Sequence, residues 1–455
     1  MTDAPQRPPL RPKHVGARVT RREDPRLLTG QGSFVDDRRI AGLLHVALRR
    51  SDHARARVTA IDIGDAADMP GVIGVFTAED LDGLVNPIRA TSRMRDYQST
   101  LLAVLARDQV HYVGEPVVAV VAESRYLAED AAEQTVIDYE PLPVATDPEA
   151  AAGADAPRLH DDLTSNILVE RTFTRDDVDA ALREAAVTVG GRFRFRRKSP
   201  VAMENRSYLA EVDPGRDTLT LYSSTQVPGI IRDALVEIFD LPGSRLRVVA
   251  PDVGGGFGGK ASLYVEEVLV CALARHLGRP VKWTSDRQED LISTSQAFDE
   301  IVDAELGVDA EGRIVGLRAE VIGDVGAYSI YPWTAGLEPV QVVSFLPGPY
   351  RVPAYRGHVR AVCTPKAPSG PYRGVGRPIS TFVMERLIDM AARRLALDAR
   401  EMRRRNLVTA DELPYKAASG IVWDRTDFIA CLDGACSAID YDGLRHEQEA
   451  ARAVE

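Results

Sequence analysis

Five glycines in six positions, Gly254, Gly255, Gly256, Gly258 and Gly259 around Phe257, form the segment of this sequence best suited to chemistry. Asp252-Val253 precedes them and Lys260 follows. Glycines let backbone N–H groups approach a ligand that a Cβ would keep away, at a cost in chain entropy. A helix starting behind them adds a dipole that favours an anion. The expected chemistry is an anion or cofactor cradle rather than a plain turn. Which cofactor stays open at this level. Gly254, Gly259 and Lys260 fit the first seven places of a P-loop, but Ala261 stands where Ser or Thr would coordinate magnesium. Gly254, Gly256 and Gly259 also match a dinucleotide fingerprint, far from the chain start and without a clean βαβ unit.

Two further segments could add donors. Ala367 to Pro378 is a Gly/Pro-rich loop that presents Arg373 and Arg377 before a helix. Arginine offers fixed, always-charged donors to anionic or carbonyl oxygens, although a surface turn with solvated arginines reads the same way. Ser223-Ser224-Thr225-Gln226-Val227-Pro228 is a polar strand end that sets Gln226 before a helix, where a backbone cap is the ordinary role. Cys271, Cys363, Cys431 and Cys436 lack the CxxC spacing of iron–sulfur or zinc sites. His45, His53, His111 and His276 match no ligand pattern and read as structural or solvated.

The elements that must hold these residues follow from periodicity. Leu44 to Leu48 reads as a strand and Val117 to Val121 as a buried one. Ser124 caps a helix that carries Leu127, Ala128, Ala131 and Ala132 on one face. Residues 149–156, EAAAGADA, read as a linker. Thr218 to Tyr222 and Leu246 to Ala250 are strands flanking a helix with Ile231, Leu235 and Ile238. Behind the glycines, a helix with Val265, Leu269, Ala272 and His276 ends at Gly278. Asp309 to Gly312 turns a hairpin, and Val383, Leu387, Met390 and Ala391 line a late helix.

The whole chain sets outer bounds. Its 455 residues are 45% hydrophobic and 27% charged, a globular profile with room for two or three domains. A net charge of −11 argues against a nucleic-acid partner. No apolar run reaches the length of a membrane span, and the first 24 residues show no apolar core of signal-peptide length, so no export signal is expected. Reduced thiols in a cytoplasmic protein are expected.

Taken together, these segments resemble the molybdenum-binding large subunit of the xanthine oxidase and aldehyde oxidase family. Gly30 to Asp37 looks like the family's opening strand, and Gly114 to Ala122 like the signature strand of its α/β hammerhead domain. Met203-Glu204-Asn205 and Arg403 to Leu407 also fit. The resemblance implies an α+β fold, with an extended arm over 1–28, a hammerhead domain over 29–150 and a first molybdopterin-binding domain over 151–410. Residues 411–455 would begin a linker into a second such domain. That half, not this chain, would carry the glutamate general base. It would be supplied by a complementary C-terminal subunit, as in nicotinate dehydrogenase-like complexes, unless the chain is a truncated remnant.

By the same resemblance, Gln226 would hydrogen-bond an apical oxygen of molybdenum, and Gly255, Gly256, Phe257 and Gly258 would hold the molybdenum–pterin unit through backbone amides. Arg373 would lie beside the metal and position the substrate. Gly374 stands where copper-containing carbon monoxide dehydrogenases carry cysteine, and Ala261 where purine hydroxylases carry glutamate, so neither chemistry is expected. The implied activity oxidises an aldehyde or N-heteroaromatic small molecule with water as oxygen source. The implied cofactor is molybdopterin cytosine dinucleotide, with electrons leaving through a [2Fe–2S] small subunit to an FAD medium subunit. An inactive remnant and a nucleotide-binding protein with a degenerate P-loop are the alternatives.

Overall fold

The longer strands range from runs buried on both faces, such as Pro116–Ala122, to largely exposed ones, such as Val187–Phe195. In a computed structural model that describes residues 17–453, they are β1 (Leu44–Arg50), β2 (Val72–Phe76), β3 (Pro116–Ala122), β4 (Ile167–Arg175), β5 (Val187–Phe195) and β6 (Ser207–Asp213). After them come β7 (Thr218–Ser223), β8 (Leu246–Val249), β9 (Val281–Thr284), β10 (Glu300–Val308), β11 (Ile314–Gly326) and β12 (Ala354–Cys363). The principal helices are α1 (Arg125–Gln134), α2 (Pro228–Phe239), α3 (Val265–Leu277), α4 (Leu337–Phe345), α5 (Arg377–Arg394) and α6 (Ala399–Asn406). Every residue of β3 is buried, as expected of a continuous apolar run between other strands. Ser124 Oγ accepts the Leu127 N–H to cap α1, whose Ala128, Ala131 and Ala132 are small enough to lie close on the sheet. The α3 helix closes at Gly278 in the left-handed conformation.

Among the described residues, one sheet has the order β8-β7-β6-β9-β1-β3-β2 and another β5-β10-β11-β12-β4. Helices α2 and α3 bury Ile231, Leu235, Val268 and Leu269 on the first. Helices α4 and α5 bury Val343, Val383, Leu387 and Ala391 on the second. The expected α+β organisation is present. The first sheet nevertheless runs across residue 150, because β1 pairs in parallel with β9, Leu44 opposite Val281.

Three local expectations change. Gly30 to Asp37 is a loop with a turn, not a strand, because its backbone finds a side chain and a single partner instead of a ladder. Ser33 N–H donates to Asp252 Oδ2 at 2.8 Å and Phe34 N–H to Asp37 Oδ2 at 2.9 Å. In the expected arm, Asp24–Leu28 is helical, and residues 1–16 lie outside the described residues. The segment 149–156 starts in a short helix, Pro148–Ala151, capped by Asp147 and anchored by buried Ala151, and continues as turns and bends to residue 156. Beyond residue 410 the chain is folded, with helices Phe428–Ala438 and Tyr441–Arg452. Phe428, Ile429 and Leu432 pack against the second core, which holds the first of these helices in place.

A polar seam joins the hammerhead region to the second sheet. The His160 ring is stacked on His111 with centroids 4.4 Å apart, and its Nε2 meets the Ala327 carbonyl at 2.6 Å. Burial, then the neighbouring His111, pushes His160 down to about 4 from 6.5. The unfolded chain therefore takes up a proton below about pH 6.5 that the folded chain refuses until about pH 4. Stability is accordingly lost as pH falls through that window, by about 3 kcal/mol in total. Urea midpoints at pH 7 and 4.5 are expected to differ less in His160→Gln than in the parent. An equal difference in both would remove this histidine from the acid sensitivity.

Candidate functional site

The loop between β8 and α3 carries the five glycines, and four of them, Gly254, Gly256, Gly258 and Gly259, permit contacts that a side chain would block. A Cβ on Gly258 (φ +103°) would overlap the Pro371 carbonyl, and one on Gly256 would overlap the Gln226 amide. The close approach lets three distant segments bond to one another. Gly258 N–H donates to Gln226 Oε1 at 2.9 Å, Gln226 N–H to the Lys260 carbonyl at 2.8 Å, and Arg373 N–H to the Phe257 carbonyl at 2.9 Å. Gln226, Phe257 and Arg373 thus come together, and all three are exposed.

Gln226 does not cap α2. Thr225 Oγ1 accepts the Val227 N–H at 3.2 Å instead, which frees the glutamine side chain for the loop. Its Oε1 is occupied by an N–H, and that bond identifies Nε2 as the group left to donate outward. Gly258 differs from expectation, because its amide is spent on Gln226 rather than on a ligand. Among the described residues, the N–H groups of Gly255, Gly256 and Phe257 have no acceptor. The Arg373 guanidinium has no hydrogen bond or ion pair among them either. Arg377 is docked by contrast, donating to Gln341 Oε1 at 2.7 Å and lying over the Phe345 ring. Three free amides, a primary amide N–H and a free guanidinium suit an oxygen-rich anionic group. Among the described residues no group of three or more His, Cys, Asp or Glu could hold a bare metal ion.

Lys260 points the other way. Its side chain is 3% exposed, and Nζ donates to Glu204 Oε2 at 2.7 Å. Burial lowers its pKa below the ordinary lysine value even though Glu204 opposes the shift. A lysine committed inward cannot grip a nucleotide's phosphates, so the P-loop reading fails. Glu204 itself went unassigned a role in the sequence, where the Met203-Glu204-Asn205 run was the only signal.

Beneath the loop, α3 is held by a buried ion network. Arg206, 1% exposed, donates to Glu266 Oε2 at 3.0 Å, and Arg50 donates to Glu266 Oε1 at 2.7 Å. Burial pushes the Glu266 carboxyl up, but Arg206 and Arg50 outweigh it and hold it below its usual value. The Arg206 guanidinium also lies 4.1 Å from the centre of the Tyr264 ring, at the helix start. At the far end, Arg26 and the Ser33 N–H hold the Asp252 carboxyl down to about 2.

Three of the histidines make structural contacts: His53 stacks on Tyr139, His111 bonds Tyr328 and His276 sits edge-on to Phe76. The four cysteines are free thiols.

A family profile described as "Molybdopterin cofactor-binding domain" matches residues 159–407, over half of the chain. Another, "Aldehyde oxidase and xanthine dehydrogenase, a/b hammerhead domain", matches residues 29–143. The chain belongs to the xanthine oxidase family of molybdenum-binding large subunits. Nicotine 6-hydroxylase large subunit of Paenarthrobacter nicotinovorans is 36% identical over 446 residues, 98% of this chain and 54% of the relative. The crystal structure of quinoline 2-oxidoreductase from Pseudomonas putida 86 superposes with a TM-score of 0.92 at 38% identity, over 96% of this chain and 55% of that one. The chain thus spans about half the length of these relatives. The large molybdopterin subunit of nicotinate dehydrogenase from Eubacterium barkeri is 28% identical over 399 residues, 87% of this chain and 89% of its own length. The fold is therefore a hammerhead domain followed by a molybdenum-cofactor-binding domain.

Two glycine substitutions separate close approach from backbone strain. Gly83 is also left-handed (φ +74°), with nothing within 4 Å of a Cβ. Gly258→Ala is expected to lower stability by about 2 kcal/mol more than Gly83→Ala, through overlap with Pro371. Equal urea midpoints for the two variants would show that the three-segment contact is not under steric control.

Proposed function

We propose that this chain is the part of a molybdenum hydroxylase that grips the metal end of a molybdopterin cofactor, specifically molybdopterin cytosine dinucleotide. The observation that supports the reading is the convergence of exposed Gln226, Phe257 and Arg373 beside a glycine loop in which the amides of Gly255, Gly256 and Phe257 have no acceptor among the described residues. When bound, the group supplies a two-electron acceptor and an oxygen derived from water. In the net reaction a C–H carbon gains a hydroxyl from water and releases two electrons and two protons.

The chain's own residues bind and orient. Gln226 Nε2 and the loop amides donate to the oxygens of the group, and their fixed positions spare the reorganisation that water would require. Arg373 places a permanent positive charge beside the reacting carbon's oxygen. No residue here is assigned as general base; that role falls to a second half, carried on a separate polypeptide or as a continuation of this one. The substrate class is an N-heteroaromatic ring or an aldehyde. The names nicotine 6-hydroxylase and quinoline 2-oxidoreductase favour the former. Electrons pass to a [2Fe–2S] small subunit and an FAD medium subunit, a reading that fits the lack, among the described residues, of a cysteine group able to hold a cluster. Among the described residues no helix is long and apolar enough to cross a membrane, and we place the complex in the cytoplasm.

Co-expression with the second half under molybdenum-replete conditions is expected to yield a complex with one molybdenum per chain; a metal-free complex would overturn the proposal. In that complex Arg373→Ala is expected to lower turnover about a hundredfold while metal content stays within about twofold. Equal losses in turnover and metal would make the arginine a structural residue.

A further inference from the structure

We propose that Glu204 is the positioning residue of this site: one of its carboxylate oxygens closes the glycine loop and sets the direction of the amides that face the cofactor. The inference rests on the cofactor reading above. Oε2 of Glu204 accepts the Gly254 N–H at 2.6 Å and the Lys260 ammonium at 2.7 Å, so the first and last residues of the segment 254–260 meet on a single atom. The Glu204 N–H also donates to the Gly254 carbonyl at 3.1 Å.

The two halves of the loop depend on Glu204 unequally. Residues 256–261 have bonds of their own: Gly259 N–H to the Gly256 carbonyl at 2.8 Å, and Ala261 N–H to the Gly258 carbonyl at 3.0 Å. Gly254 and Gly255 do not. Every hydrogen bond to Gly254 comes from residue 204, and among the described residues the Gly255 backbone has none. Glycine backbones left free sample a wide range of φ and ψ. Without the Glu204 tether, the amides of Gly255 and Gly256 would lose the orientation that a pre-organised cradle needs. The tether also reaches Gln226. Lys260, drawn inward by Glu204, presents its carbonyl to the Gln226 N–H and to Thr225 Oγ1 at 3.1 Å.

The packing favours a positioning role over a purely stabilising one. Glu204 is 16% exposed on its side chain, and its other oxygen, Oε1, is buried without a donor. A carboxylate that leaves one oxygen dry gains less from burial than a fully bonded one. All of its bonding is concentrated on the atom that joins the loop ends.

The test compares four forms of the full chain in its purified complex: parent, Lys260→Met, Glu204→Gln, and the double variant Glu204→Met/Lys260→Met, which leaves no unpaired buried charge. Backbone amide exchange over 252–262 and molybdenum per complex are the readouts. The double variant is expected to speed exchange at Gly254 by at least about tenfold and to cut metal content below about half of the parent. Lys260→Met keeps the bond to Gly254, and Glu204→Gln keeps an acceptor oxygen; exchange at Gly254 in both is expected to stay within about threefold of the parent. Parent-like exchange in the double variant would overturn the tether. Faster exchange with unchanged metal content would show that the tether does not serve the cofactor, and would overturn the positioning role. A metal-free parent would instead sink the cofactor reading, with the exchange comparison still deciding whether Glu204 holds the loop.

Discussion

The site depends on two missing methyl groups. Because Gly256 and Gly258 have no Cβ, the loop between β8 and α3 comes close enough for backbone-scale hydrogen bonds to Gln226 and to the Pro371–Arg373 segment. No other residue type would allow both contacts without moving either the glutamine or the arginine loop. The three donors that define the exposed face come from positions 226, 257 and 373, and this contact is what makes them one site.

A contact between loops is only as fixed as the scaffold under it. Here α3 is immobilised by Arg206 and Arg50 converging on Glu266, all deeply buried, and both arginines have further polar partners. Such a network adds little net stability compared with apolar packing, but it tolerates few alternative arrangements. Arg50 lies on β1 and Arg206 just ahead of β6, so the same ions that fix the helix also join the hammerhead strands to the cofactor-binding strands in one sheet. The frame and the site are thus built from shared residues.

Much of this was legible in the residues themselves. Strand β3, the Ser124 cap, the stripe on α2 and the Gly278 stop are local features, governed by apolar period and cap chemistry, and they appear where those rules place them. The errors have the opposite character. Gly30 to Asp37 looked extended, but Asp252, more than two hundred residues away, takes its amide. Residues 411–455 were expected to begin a linker, but the second core offers Phe428 and Leu432 a surface. In each case a distant partner decided the outcome.

The sequence by itself determined most of the elements, the family and the candidate residues for an anion, because these follow from composition, spacing and side-chain chemistry along a short stretch of chain. Only the tertiary structure decided which of their polar groups remain available. It turned Lys260 inward to Glu204, consumed the Gly258 amide on Gln226, docked Arg377 and left Arg373 free. The physical reason is that a donor's availability depends on where every competing acceptor lies, and the acceptors that matter here are brought close only by folding.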